Sequence, residues 1–189
     1  LILAAGISAA QPTTFKIGGG SPAMQSFTVD STADFEDFTG TTNAITGTVV
    51  FDPSKRTGSG KLTINVASIK TGIDLRDEHM RSEGWLSTDK FPNATFETTR
   101  VQFVSGTNYR VTGNLTLKGV TKVITTNATV RFIKESEQTR AARFKGDLVN
   151  VKTEFKIRLS DYNVQIPAQA KGKVGEVVTI KLSVFGTTG

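Results

Sequence analysis

Apolar and polar residues alternate along much of this chain, and a period of two is the signature of strands buried on one face. Along 109–118, Tyr109, Val111, Leu115 and Leu117 share one face, while Arg110, Thr112, Asn114, Thr116 and Lys118 share the other. Leu62, Ile64 and Val66 alternate with Lys61, Thr63 and Asn65 in the same way, and Val178, Ile180, Leu182 and Val184 with Thr179, Lys181 and Ser183. Segments 26–35, 44–52, 95–104, 122–133 and 142–155 bring the expectation to about eight strands. Turn residues separate them at Asp52-Pro53, Thr57–Gly60, Ser105–Asn108 and Lys118-Gly119. Many short alternating strands predict an all-β fold, a sandwich or a barrel. One stretch breaks the pattern. Residues 74–82 hold helix formers, with Asp74 as the expected N-cap, Asp77 completing a capping box, and Asp77 and Arg81 spaced to pair.

The chain of 189 residues is 37% hydrophobic and 21% charged, which suits one folded domain able to bury its own core. It has no cysteine, which excludes disulfides, thiolate metal sites and cysteine nucleophiles, and its single histidine excludes a site built on two imidazoles. Residues 1–95 carry eight Lys/Arg against ten Asp/Glu, and residues 96–189 carry fifteen against seven. The basic charges of the second half are spread singly over polar strand faces. They read as a solvated exterior, without the interleaved exposed aromatics of a nucleic-acid groove, so no nucleic-acid partner is expected.

At the N-terminus, the apolar run Leu1–Ile7 is followed by Ser8-Ala9-Ala10 and then by Gln11-Pro12. This pattern reads as the end of a secretory signal with cleavage after Ala10, and it predicts a periplasmic or secreted protein. Residues 11–25, with Gly18-Gly19-Gly20-Ser21-Pro22, read as a flexible linker. Residues 26–186 are then the folded body and 187–189 a tail. Ser59–Thr63 imitates a phosphate-binding loop but lacks its upstream glycine and the hydroxyl residue after Lys61, so it is expected to be a hairpin turn.

Three segments in order carry a family resemblance: Thr71–Ser82 with its Arg76-Asp77-Glu78-His79, then Phe91-Pro92-Asn93-Ala94-Thr95-Phe96, then Gly113–Thr121. Together they resemble the YceI-like family of polyisoprenoid-binding, lipocalin-like proteins, over roughly residues 26–185. The resemblance implies an eight-stranded antiparallel lipocalin-like barrel with a short helical insertion. It also implies an apolar cavity for an isoprenoid chain of quinone or polyprenyl type, and export to the periplasm or beyond. The sequence departs from the family pattern at Asp30–Phe35, where no histidine stands, and at Trp85-Leu86, which follows an added Glu83-Gly84.

The candidate cavity lining is Leu62, Ile64, Val66, Phe96, Tyr109, Val111, Leu115, Leu117, Ile180 and Leu182. The same residues suit a filled barrel equally well, since eight strands either pack solid or hold one small ligand. Gly113, inward between Val111 and Leu115, leaves room. Trp85 either lines the cavity mouth or plugs one end. Arg76 and His79 are candidates for a polar head group; alternatively Arg76 and Asp77 pin the helix to the barrel. No metal, catalytic residue or cofactor is expected, and the expected partner is an isoprenoid or other long-chain lipid. An enzyme acting on bound lipid through His79 and Arg76, and a filled barrel serving as an envelope interaction module, are the alternatives. Peripheral contact with a membrane and a homodimer both stay open.

Overall fold

The computed structural model describes residues 12–18 and 24–189, so the expected signal remnant at 1–10 lies outside the described residues. The described residues form ten strands: β1 (Thr13–Ile17), β2 (Ser26–Thr32), β3 (Asp37–Thr42), β4 (Ile45–Asp52), β5 (Thr57–Asn65), β6 (Asn93–Ser105), β7 (Asn108–Leu117), β8 (Val120–Ile133), β9 (Leu148–Arg158) and β10 (Val177–Thr187). Helix α1 (Asp74–Arg81) lies between β5 and β6, and α2 (Glu137–Ala141) between β8 and β9.

Eight strands close an antiparallel barrel in the order β1-β4-β5-β6-β7-β8-β9-β10, with β10 returning to β1. The barrel is as expected, but two of its parts are not. β1 falls within residues read as a linker. Its Phe15 and Ile17 are buried between β4 and β10, so 13–17 is wall and the body runs to Thr187 rather than from 26 to 186. The second surprise is the β2–β3 hairpin, laid along β10 where β1 is absent. β2 pairs with Val178–Ser183 of β10 and β1 with Gly186–Thr187. At the gap between them the Gln25 side chain stands in for a strand, donating to the Phe185 carbonyl and accepting from the Phe185 amide, both at 3.0 Å. That buried amide satisfies two ladder groups that would otherwise be orphaned.

Other expectations shift for local reasons. The strand expected at 26–35 stops at Thr32, and β3 follows a short turn. Thr57–Gly60 is strand, not turn, and Ser59–Thr63 lies within β5. The reversal sits just before it, where Arg56 takes a left-handed φ of 56°. The strand expected at 142–155 starts only at Leu148. Ser136 accepts from the Thr139 amide in a capping box that makes 137–141 helical instead. Between β7 and β8, Lys118 and Gly119 both have positive φ, 48° and 74°, as a two-residue hairpin turn requires.

The core has two parts. A cluster of Phe15, Phe51, Tyr109 and Val149, with Phe103 and Phe132 packed on it, closes the end of the barrel at the β4–β5 and β6–β7 turns. Its rings meet edge to face, Phe51 with Tyr109 at 5.9 Å and Phe103 with Tyr109 at 5.5 Å. The larger cluster lines the rest of the barrel down to α1 and the 159–176 segment.

Candidate functional site

Between these two parts lies a cavity of about 690 Å³. It brings together Leu62, Ile64, Val66, Trp85, Phe96, Val111, Leu115, Leu117, Ile180 and Leu182 from the expected lining, with Arg76 and His79 at its mouth. Tyr109 does not belong to it. Its position near the start of β7 puts its ring in the aromatic cluster that closes the barrel end. Burial of that phenol pushes its ionisation up, although Arg56 nearby pulls the other way. Gly113 does not leave free space either. A Cβ there would fall on the Phe96 ring and the Glu97 carbonyl, so the missing side chain lets Phe96 lie flat against β7.

Sequence reasoning missed part of the wall. Ile124, Ala128, Val151 and Phe155 line it from β8 and β9, and Phe27, Val29 and Phe38 from β2 and β3. The β8 and β9 residues carried the same period-two signal as Leu62 and Ile64. β3 did not, because its inward residue beside Phe38 is Gly40, where a Cβ would meet Ile69 at 2.8 Å and Val29 at 3.0 Å.

The wall is apolar in effect as well as composition. Thr126 and Thr153 face the cavity, but their hydroxyls lie 2.9 Å apart, so that one donates to the other and the second donates to a backbone carbonyl, Thr153 to Asn127 or Thr126 to Glu154. Ser31, also lining, accepts from the Gly175 amide at 2.9 Å. Groups that bond within the protein do not ask a ligand for partners.

The mouth is polar and held by α1. Ile73, not Asp74, occupies the N-cap, and no side chain caps the helix there. Asp77 instead reaches back to accept from the Thr71 amide at 2.8 Å and the Thr71 hydroxyl at 2.7 Å, and it pairs with Lys70 at 3.4 Å. No ion pair joins it to Arg81 among the described residues. Burial, the strongest single influence on this carboxyl, pushes its pKa up; the two bonds from Thr71 and the Lys70 ammonium together outweigh it and hold the group below the ordinary aspartate value. Asp77 thus pins the helix through a backbone amide. Arg76 pins it through side chains: its guanidinium donates to Glu36 at 2.8 Å and lies over the Phe38 ring at 4.4 Å. The Arg76 Nε–H is shielded from solvent and has no hydrogen-bond partner among the described residues, leaving one donor at the mouth. The His79 imidazole is exposed, lines the mouth, and has no hydrogen-bond partner among the described residues. Trp85 lines the cavity half-buried, packed on the main core rather than closing the barrel. Gln169 and Lys173, from the loop before β10, complete the polar rim.

The YceI-like domain model matches residues 11–185. Protein YceI of Escherichia coli O17:K52:H18 (strain UMN026 / ExPEC) is 35% identical over 149 residues, which is 78% of this chain and 72% of that protein. Among solved structures, BcnA of Burkholderia cenocepacia is similar with a TM-score of 0.75 and 25% identity, covering 88% of this chain and 99% of that one. A polyisoprenoid binding domain from Saccharophagus degradans implicated in plant cell wall breakdown shares the fold, with a TM-score of 0.69 and 18% identity over 93% of this chain and 98% of that one.

Proposed function

The chain belongs to the YceI-like domain family, and from that premise we propose that it is a non-catalytic carrier or store for an isoprenoid lipid of quinone or polyprenyl type. The observation that carries this reading is the cavity itself, whose lining is mostly apolar, whose Ser31, Thr126 and Thr153 hydroxyls are bonded within the barrel, and whose charged groups lie at the α1 mouth. An apolar chain lies along such a wall without taking partners from Thr126, Thr153 or Ser31, while a head group meets the Arg76 Nε–H, His79 and Lys173. At about 0.8 kcal/mol per buried methylene, a chain filling the cavity gains on the order of 15 kcal/mol before the cost of ordering it. The likeness to a polyisoprenoid binding domain supports the same ligand class.

Membership of the YceI-like domain family and the likeness to a polyisoprenoid binding domain support carriage. Ile73 and Leu75 are 51% and 61% exposed and line the mouth, an apolar lip suited to exchange with a membrane surface. The apolar run before Ser8-Ala9-Ala10 supports a location outside the cytoplasm.

Filling the cavity is the test. Val111→Trp and Val151→Trp each put an indole into the space a chain would occupy, from two strands, β7 and β9, on either side of β8. Each is expected to cut retention of geranylgeraniol at least tenfold while the far-ultraviolet circular dichroism spectrum stays that of the parent. Unchanged retention in both folded variants overturns the cavity as the binding site.

A further inference from the structure

The barrel is not zipped along its whole circumference. β5 pairs with β6 only from Asn65–Asn93 up to Lys61–Glu97. Beyond that step β5 stays with β4 as far as Asp52–Thr57, and β6 stays with β7 as far as Ser105–Asn108. No ladder pair joins Thr57–Gly60 to the upper half of β6. The cause lies in both strands. Gly58 and Gly60 give β5 no side chains to pack across the gap, and the β6–β7 register shifts between Thr98 and Arg100, a bulge that bends β6 away. The window is bounded below by the Lys61–Glu97 ion pair, at 3.5 Å, and above by the Arg56 guanidinium, 4.2 Å from the Phe103 ring centroid.

This window opens from the cavity. Gly58, Ser59, Gly60, Thr98 and Val101 all line it, at the end far from α1 and beside the aromatic cluster. Ser59 is exposed to solvent and is counted in the lining of the same space as the residues of the α1 mouth. Size gives the window a use. A carbon group needs about the volume of a water molecule, about 30 Å³, so a 690 Å³ cavity holds roughly twenty of them, or about four isoprene units. A longer tail entering at α1 meets Phe51 and Tyr109 at the closed end, and its way out is sideways.

We propose that the β5–β6 window is a second portal, through which prenyl tails too long for the cavity leave the barrel. The inference rests on the lipid-carrier reading and deepens it, since it makes the protein tolerant of chain length: a head group is held at α1 and the surplus tail emerges beside Ser59.

Because the chain has no cysteine, Ser59→Cys gives a unique thiol at the window. The variant is loaded with geranylgeraniol or with the much longer solanesol, retention of each is verified by native mass spectrometry, and the rate of maleimide labelling is followed. Solanesol is expected to slow labelling of the position-59 thiol at least tenfold and geranylgeraniol to leave it unchanged. In the reverse order, a bulky maleimide attached first is expected to abolish solanesol retention and spare geranylgeraniol. Equal labelling rates under both retained prenols, or solanesol retention indifferent to the cap, overturns the portal. Retention of neither prenol by the parent protein overturns the carrier reading itself, and the portal with it.

Discussion

Asp77 shows how a single residue sets the mouth. It is 1% exposed, and its carboxylate holds the amide and hydroxyl of Thr71 while Lys70 pairs with it. Asp77→Ala strands that amide and is expected to cost about 2 kcal/mol, the worth of hydrogen bonds to a charged group, read as a fall in the urea midpoint. The pH dependence has a definite sign. The folded-state pKa is depressed, so this contribution is complete above the unfolded value near 4 and is lost as the pH falls through the lower folded value. The parent should therefore lose more stability than Asp77→Ala on acidification below pH of about 4; parallel losses in both proteins contradict the anchoring role. Gly113 is the second revealing position. Gly113→Ala drives a Cβ onto the Phe96 ring and the Glu97 carbonyl, and overpacking of this kind costs about 1–3 kcal/mol. Phe96→Ala made together with it should recover part of the loss, because the ring is one of the two groups in the way; strict additivity in thermal denaturation contradicts that geometry. In sequence, Gly113 looked like room for a ligand. Alternation shows which face a residue is on, but not which neighbour fills the space it leaves.

At the scale of elements, β1 closes the barrel at the plugged end, and Phe15 is the side chain that seals it, fully buried and 6.2 Å edge-to-face from Phe132. Phe15→Ala is expected to cost about 3–5 kcal/mol by the usual toll of a buried aromatic. Hydrogen exchange should show the loosening first in β1 and in the end of β10 that pairs with it. The strands most legible in sequence were those with three or more alternating apolar residues, such as β5, β7 and β10. β1 was not, since five residues ending at glycine offer only Phe15 and Ile17 as signal, and the glycines outweighed them. β3 hid for a related reason, because Gly40 replaces an inward apolar residue where Ile69 and Val29 crowd the backbone. Gly58 and Gly60 misled in the opposite direction, reading as a turn while lying in β5. Glycine carries both meanings, and only tertiary contact separates them. Helix α1 was visible from its residue types, yet its cap was not: Asp77 bonds backward to Thr71 rather than serving a capping box led by Asp74. The site followed the same logic. Leu62, Val111 and Ile180 could be placed on inward faces by period alone, whereas Tyr109 shares that period and belongs to the plug, because position along a strand has no periodic signature.

For the whole molecule, the account makes burial of an apolar chain the source of affinity and leaves the basic exterior out of it. Lys181, for example, is committed to Asp30 at 2.8 Å on the outer wall. Retention of a prenol should accordingly be the same in low salt and in molar salt, where exposed charges are screened within about 3 Å. A steep loss with salt would move the binding surface to the exterior. His79→Ala should weaken retention of a prenol far less than Val111→Trp does, since the imidazole meets only the head group and stands outside the space occupied by the tail. The most direct test is native mass spectrometry of the full-length protein purified gently from its own cells, followed by solvent extraction and identification of whatever is released. The account predicts a stoichiometric adduct that extracts as an isoprenoid. A clean protein mass, unchanged after incubation with added quinone and polyprenol, would contradict it.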